Sequence, residues 1–126
     1  MRHKSRRGQQ GRGTKVMWFG IKFDSQIEGH RYLQLREMFE RGEISELECH
    51  PKFKLQPSFK DHDGKTVRAI TYTADFQYVR ASDGVTVVED VKPSRKGKPA
   101  IPPDGWLRIK IFQYQNRHIE FNVVAM

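Results

Sequence analysis

The segment Val67–Val79 (VRAITYTADFQYV) alternates side chains in a period of two, the signature of an extended strand with one buried face. Ile70, Tyr72, Ala74, Phe76 and Tyr78 share one face, and Thr71, Thr73, Asp75 and Gln77 share the other. A turn sequence, Ser82-Asp83-Gly84, follows, and Val85–Lys92 (VTVVEDVK) is rich enough in β-branched residues to form the return strand. A chain with this pair at its centre must build a sheet and then cover it. Asp24–Arg41 reads as a covering helix, with Ile27, Tyr32, Leu35, Met38 and Phe39 on one face and Gly42 as the residue past its end. Trp106–Arg117 reads as a second helix with the apolar stripe Leu107, Ile111 and Tyr114. Ile44–Lys60 holds strand-like pieces, Asp61–Lys65 (DHDGK) is a hairpin turn, and His118–Val124 is a last strand. Val16–Phe23 (VMWFGIKF) is a packing segment or short strand, and Pro93–Gly105 is a basic loop rich in Pro and Gly. The order helix, three strands, helix, strand predicts an α/β or α+β domain around a small mixed sheet.

Composition narrows what such a domain does. The chain has 126 residues, enough for one domain, and 8 Phe, 4 Tyr and 2 Trp supply a modest core. No apolar run approaches the roughly 18–20 residues of a membrane-spanning helix. The N-terminal sequence lacks the apolar stretch of a signal peptide, and the single cysteine, Cys49, excludes an internal disulfide and a multi-cysteine zinc site. Together these features predict a cytoplasmic protein. The net charge of +8 is unevenly spread. Residues 1–15 carry Arg2, Lys4, Arg6, Arg7, Arg12 and Lys15 and no acid, leaving 17 basic against 15 acidic side chains elsewhere. The reading is a flexible basic arm over residues 1–15 on a nearly neutral single domain, residues 16–126. Such an arm either contacts a polyanion, most often nucleic acid, or is a solvated tail.

Several charges fall where charge is disfavoured. Glu28 and Arg31 lie inside the apolar arc of the first helix. A carboxylate facing a core must be paired, neutral or bound to a cation. Three readings stay open for Glu28: a capping box with Ser25, a pair with Arg31, or a functional acid. Asp75 sits in mid-strand, and Asp90 and Lys92 share one face of the next strand. These residues read either as a solvated polar face or as one converging group. Clustered carboxylates bind Mg²⁺ or Mn²⁺ through oxygen, and a lysine beside them can orient water and stabilise charge on a phosphate.

A helix Glu28, then Ala74-Asp75, then Asp90-Val91-Lys92 on consecutive strands resembles the PD-(D/E)XK nuclease superfamily. More narrowly, FDSQIEGHRYLQL, ITYTADFQYV and VVEDVKP resemble small phage-encoded nucleases of that superfamily, over roughly residues 19–122. The sequence departs from the motif in having Ala74 where a proline often precedes the acid. The resemblance implies a restriction-endonuclease-like α/β core, a central mixed sheet flanked by helices in the order α-β-β-β-α-β. It implies metal-dependent DNA cleavage with Glu28, Asp75 and Asp90 as ligands of Mg²⁺ or Mn²⁺ and Lys92 acting near the attacking water. Glu89 precedes Asp90 but points to the opposite face unless a bulge intervenes, so Asp90 is the expected ligand.

Other residues are assigned around this centre. Arg6, Arg7 and Arg12 in the arm, Arg95, Lys96 and Lys98 in the loop after Lys92, and Lys110 on the second helix are the expected DNA contacts. Lys110 equally reads as a surface lysine lying over the core, and Gln56 as either a cleft or a structural residue. His50 beside Cys49 lacks further ligands at metal-binding spacing. The leading function is an endonuclease on branched DNA, a Holliday junction resolvase, which as a homodimer would make two symmetric cuts. The apolar stretch with Met17, Trp18 and Phe19 is either the shared surface or packing against the chain's own core. The alternatives are a nicking or repair endonuclease without branch preference and a non-catalytic DNA-binding module.

Overall fold

The computed structural model describes residues 15–126. The arm residues Arg6, Arg7 and Arg12 therefore lie outside the described residues. The apolar stretch at the start is a tight hairpin of β1 (Val16–Trp18) and β2 (Ile21–Phe23). Phe19 and Gly20 both take positive φ at its turn, the geometry that matches the twist of two-residue hairpins. Helix α1 (Gln26–Glu40) follows, capped by the Ser25 hydroxyl, which accepts the Glu28 amide at 3.3 Å. It ends in a Schellman turn: Gly42 at φ +77 donates to Phe39, and the Glu43 amide donates to Met38.

The next strands form one long hairpin. β3 (Ile44–Cys49), β4 (Lys52–Gln56) and β5 (Phe59–Lys60) run out, and β6 (Thr66–Val67), β7 (Ile70–Thr73) and β8 (Phe76–Arg80) run back. β5 pairs with β6, β4 with β7 and β3 with β8, all antiparallel. Asp61 closes the far turn, its Oδ1 accepting the amides of Asp63 and Lys65. β9 (Thr86–Lys92) returns from β8 through the Ser82-Asp83-Gly84 turn. A small hairpin of β10 (Ser94–Arg95) and β11 (Lys98–Pro99) comes next. Helix α2 (Pro103–Gln115) then carries the chain to β12 (Glu120–Ala125), which lies parallel to β9.

The central sheet is mixed and four-stranded, in the order β12-β9-β8-β3. Its strands and the two helices follow the chain as α1-β3-β8-β9-α2-β12, so the protein is a mixed α/β fold. Alternation along β9 separates two cores. Val87 and Val91 pack with Tyr32 and Leu35 of α1 and with Phe23, Phe76 and Tyr78. Val88 packs with Ile109 and Phe112 of α2 and with Tyr72 and Ala74. No helix among the described residues is long and apolar enough to cross a membrane.

The structure corrects five readings of the sequence. Val67–Val79 is not one strand but three, broken at Arg68–Ala69 and at Ala74–Asp75. The second break reverses the faces, so Tyr72 and Phe76 enter different cores despite their even spacing. The second helix begins at Pro103, whose fixed φ suits a first turn, and buries Ile109 and Phe112. Of the expected stripe, Leu107 and Tyr114 are 60% and 72% exposed. Phe39 of the first helix is also exposed, and Pro93–Gly105 contains a paired hairpin where a loop was expected. Met17 and Phe19 remain exposed, whereas Trp18 packs against α1.

Gly29 lets Trp18 seat. A Cβ there would stand 2.5 Å from the indole carbons Cε3 and Cζ3, inside any allowed contact. Alanine at an unobstructed helix position gains about 1 kcal/mol over glycine, whereas overpacking costs about 1–3 kcal/mol. Gly29→Ala should therefore lower stability in urea denaturation. A variant as stable as the native chain would mean that the β1–β2 hairpin does not rest on α1.

Candidate functional site

The site forms where the long hairpin kinks. Between β3 and β4 the chain passes through His50-Pro51, and opposite it through Ala74-Asp75. Two backbone bonds hold the kink, from the His50 amide to Asp75 O at 2.9 Å and from the Ala74 amide to Pro51 O at 3.0 Å. His50 takes φ +56, a left-handed conformation that is uncommon outside glycine. The Asp75 amide donates across to Glu89 O at 3.0 Å, so Asp75 stays attached to β9 although it belongs to no strand.

Asp75, Asp90 and Lys92 meet here. Asp75 Oδ2 accepts the Val91 amide at 2.6 Å. Asp90 is buried, its Oδ2 accepting the Tyr72 hydroxyl at 2.9 Å and its Oδ1 lying 3.5 Å from Lys92 Nζ. Burial first, then a hydrogen bond and like charge from Asp90 and the charge of Glu28, push the Asp75 carboxyl up to about 9. Only the Val91 amide works in the other direction. The Tyr72 hydroxyl is likewise pushed upward, by burial and then by the Asp90 charge.

Glu28 reaches the same region from the first turn of α1. Ser25 caps its amide, but the carboxylate does not fold back to complete a capping box. It is buried, and its Oε1 accepts His50 Nε2 at 2.6 Å. The expected alternative, a Glu28–Arg31 pair, is not formed. Arg31 instead reaches Glu89, donating from Nε at 2.8 Å and from the terminal nitrogen at 2.7 Å, while Tyr78 donates to the same carboxylate at 2.5 Å. Glu89 is thus fully engaged on the α1 side of β9, and Asp90 alone of the pair faces Asp75.

The remaining sequence candidates separate. Arg95 and Lys98 face each other across the β10–β11 hairpin, and Lys96 forms its turn with Gly97. Lys110 is exposed on α2, and Gln56 ends β4 opposite Ile70. Cys49 is half-buried, and burial followed by the charges of Glu28 and Glu48 pushes its thiol up to about 11. His50, Tyr72, Tyr78 and Arg31 are the contributors that sequence reading misses. Arg31 carries a partial signal, as a second charge in an apolar arc, but its partner lies 58 residues away.

The donors suit a hard divalent cation. They are carboxylate oxygens, and two facing carboxyls at a partly buried position are hard to ionise together without a counter-charge. Among the described residues no three His, Cys, Asp or Glu side chains stand as a ready-made cage. Glu28 is turned to His50, so a cation held by all three acids requires that contact to yield or to share.

No curated protein matches the chain, and no solved structure matches it. Residues 9–126 match the family model described as "Protein of unknown function (DUF1064)", and the chain belongs to that family.

Two outcomes follow from this geometry. Arg31→Ala leaves Glu89 buried with Tyr78 as its remaining side-chain donor and should cost about 3 kcal/mol in denaturant unfolding. A loss below about 1 kcal/mol would remove the Arg31–Glu89 contact as a support of the fold. The second outcome concerns pH. The folded protein keeps the Asp75 proton to about 9, whereas the unfolded chain releases it near the ordinary 3.8. The unfolded state binds fewer protons between those values, so this group's contribution to stability falls as pH rises through that window. In chelator, Asp75→Asn should flatten the decline of melting temperature between pH 5 and 9. An identical pH profile for the variant would mean that Asp75 ionises freely.

Proposed function

We propose that this DUF1064 family member is a divalent-metal-dependent endodeoxyribonuclease of the PD-(D/E)XK type, cleaving branched DNA as a Holliday junction resolvase. The observation that carries the reading is the meeting of Asp75, Asp90 and Lys92 at the strand kink, with the charge of Glu28 felt at Asp75. The arrangement of α1, the central sheet and α2 around that point lends it further support.

Glu28, Asp75 and Asp90 would hold Mg²⁺ or Mn²⁺, which when bound supplies Lewis-acid stabilisation of a phosphoryl oxygen and the counter-charge that lets the acids ionise together. The chain's own residues supply the rest. Tyr72 and the Val91 amide fix Asp90 and Asp75 through one oxygen each. Lys92, held beside Asp90, orients the attacking water and offsets negative charge growing on the phosphate. Hydrolysis joins the water oxygen to phosphorus and breaks one phosphorus–ester bond, and a proton ends on the departing oxygen. The preference for branched DNA rests on symmetry. One nearly neutral domain offers few phosphate contacts, whereas two copies with two basic arms match the two-fold form of a junction and make paired cuts.

The test is cleavage of labelled four-way junction, flap, linear duplex and single strand with Mg²⁺, Mn²⁺ or EDTA. The junction should be cut in preference to duplex, with no cleavage in EDTA. Asp75→Asn and Asp90→Asn should abolish cleavage and keep DNA binding, and Lys92→Ala should slow the chemical step by about 10²–10⁴. Glu89→Gln should lose stability while retaining cleavage. Sedimentation should give twice the 14.8 kDa chain mass. A monomer that nicks junction and duplex equally removes the resolvase reading and keeps the nuclease. Native protein that binds DNA but cuts nothing with either metal returns the non-catalytic module.

A further inference from the structure

A cleft of about 630 Å³ opens beside Lys92. Three cations line it, Lys92, Arg95 and Lys98, and Pro93, Pro99 and Ile101 give it apolar surface. No acid lines it. Lys92 belongs to both regions, since its ammonium also lies 3.5 Å from Asp90 Oδ1. The cleft therefore begins where the carboxylate cluster ends.

Its basic wall is built, not draped. Ser94 pairs with Pro99 and Arg95 with Lys98, and Lys96 and Gly97 close the turn at φ +50 and +76. The Ala100 amide donates to Pro93 O, closing the hairpin's base. The Ser94 amide donates to Met126 O and the Met126 amide to Lys92 O, tying that base to the chain beyond β12. Arg95 and Lys98 are direct cross-strand partners, and like charges placed opposite each other destabilise a hairpin. Among the described residues no acid forms a salt bridge with either. The pair is a local electrostatic cost that an anion lying across it would relieve.

We infer that this cleft is a nucleotide subsite for the DNA strand flanking the scissile phosphate. Arg95 and Lys98 bind backbone phosphate, and the proline and Ile101 surfaces take the adjoining sugar and base. The inference rests on the nuclease reading for its ligand and adds where the strand runs from the reacting centre, past Lys92 and along the β10–β11 hairpin. Phosphate contact explains the cations, and the apolar lining favours a nucleotide over inorganic phosphate.

The test is DNA binding by the full chain carrying Asp75→Asn, in EDTA, read by anisotropy of labelled junction and duplex across a salt series. Adding Arg95→Ala and Lys98→Ala should weaken binding about tenfold or more and reduce the log–log salt slope by about 2. The melting temperature should not fall, because a repulsive pair has been removed. A control with Lys60→Ala and Lys65→Ala, two exposed lysines at the distal hairpin, removes the same charge elsewhere and should have less than half the effect. Inorganic phosphate at millimolar concentration should not displace the DNA beyond its ionic-strength effect. Unchanged affinity and slope, or an equal effect of the control pair, would overturn the subsite. If native protein cleaves DNA while the Arg95/Lys98 variant binds normally, the subsite falls and the nuclease stands. If binding depends on the pair while no metal supports cleavage, the nuclease falls and the cleft stands as a DNA-binding site with no scissile phosphate beside it.

Discussion

The kink at His50-Pro51 and Ala74-Asp75 governs both the packing and the site. An unbroken hairpin would keep Tyr72 and Phe76 on one face, because strand side chains repeat every two residues. The break reverses that parity. Phe76 and Tyr78 join the core under α1, while Tyr72 and Ala74 join the core under α2. One hairpin thereby helps fill both layers of a small domain. The same reversal turns Asp75 toward Asp90, and it brings the Tyr72 hydroxyl to that acid from below the kink. His50 tolerates a left-handed backbone at the centre of this feature because its amide and its ring are both engaged, with Asp75 O and Glu28.

Glu89 and Asp90 illustrate how neighbouring acids on one strand acquire different work. They project to opposite faces of β9. Glu89 meets a bidentate guanidinium and a tyrosine hydroxyl, which satisfy both of its oxygens. That contact ties β9 to α1 one turn after Glu28, so it also fixes how Glu28's helix sits relative to Asp90's strand. Asp90 meets another carboxyl. Like charge at a partly buried position lowers stability in the absence of a counter-ion, and proteins keep such arrangements at positions that serve binding or chemistry.

The sequence makes the outline legible because its strongest signals are local. Alternation in Ile70–Tyr78, the Asp83-Gly84 and Asp63-Gly64 turns, and the Ser25 and Gly42 boundaries of α1 each act over a few residues. The strand break is invisible to periodicity, since the residues on both sides of it keep alternating while their pairing partner changes from β4 to β3. The second helix misleads for a different reason. Leu107 and Tyr114 lie on one side of the helix and Ile109 and Phe112 on the other, and it is the second side that packs on the sheet, leaving the first exposed. Within the site, Glu28, Asp75, Asp90 and Lys92 stand out as charges in apolar or extended contexts. His50 and Tyr72 do not, because an ordinary strand-end histidine and an ordinary core tyrosine look the same until the fold supplies their partners.

Charge separation over a short distance is the remaining consequence. The domain as a whole is nearly neutral, yet Glu28, Asp75 and Asp90 lie together at the kink and Arg95 and Lys98 stand on the β10–β11 hairpin, with Lys92 at the boundary. A phosphate approaching the carboxylates alone would be repelled. A phosphate approaching the hairpin alone would be held with no group positioned to act on it. On the proposed nuclease reading, a chain of phosphates long enough to lie across both regions would gain from the cations at one end while presenting an ester bond to the acids at the other. On that reading, such an arrangement would discriminate by polymer length before sequence, and would suit the backbone and shape of a nucleic acid better than an isolated small anion.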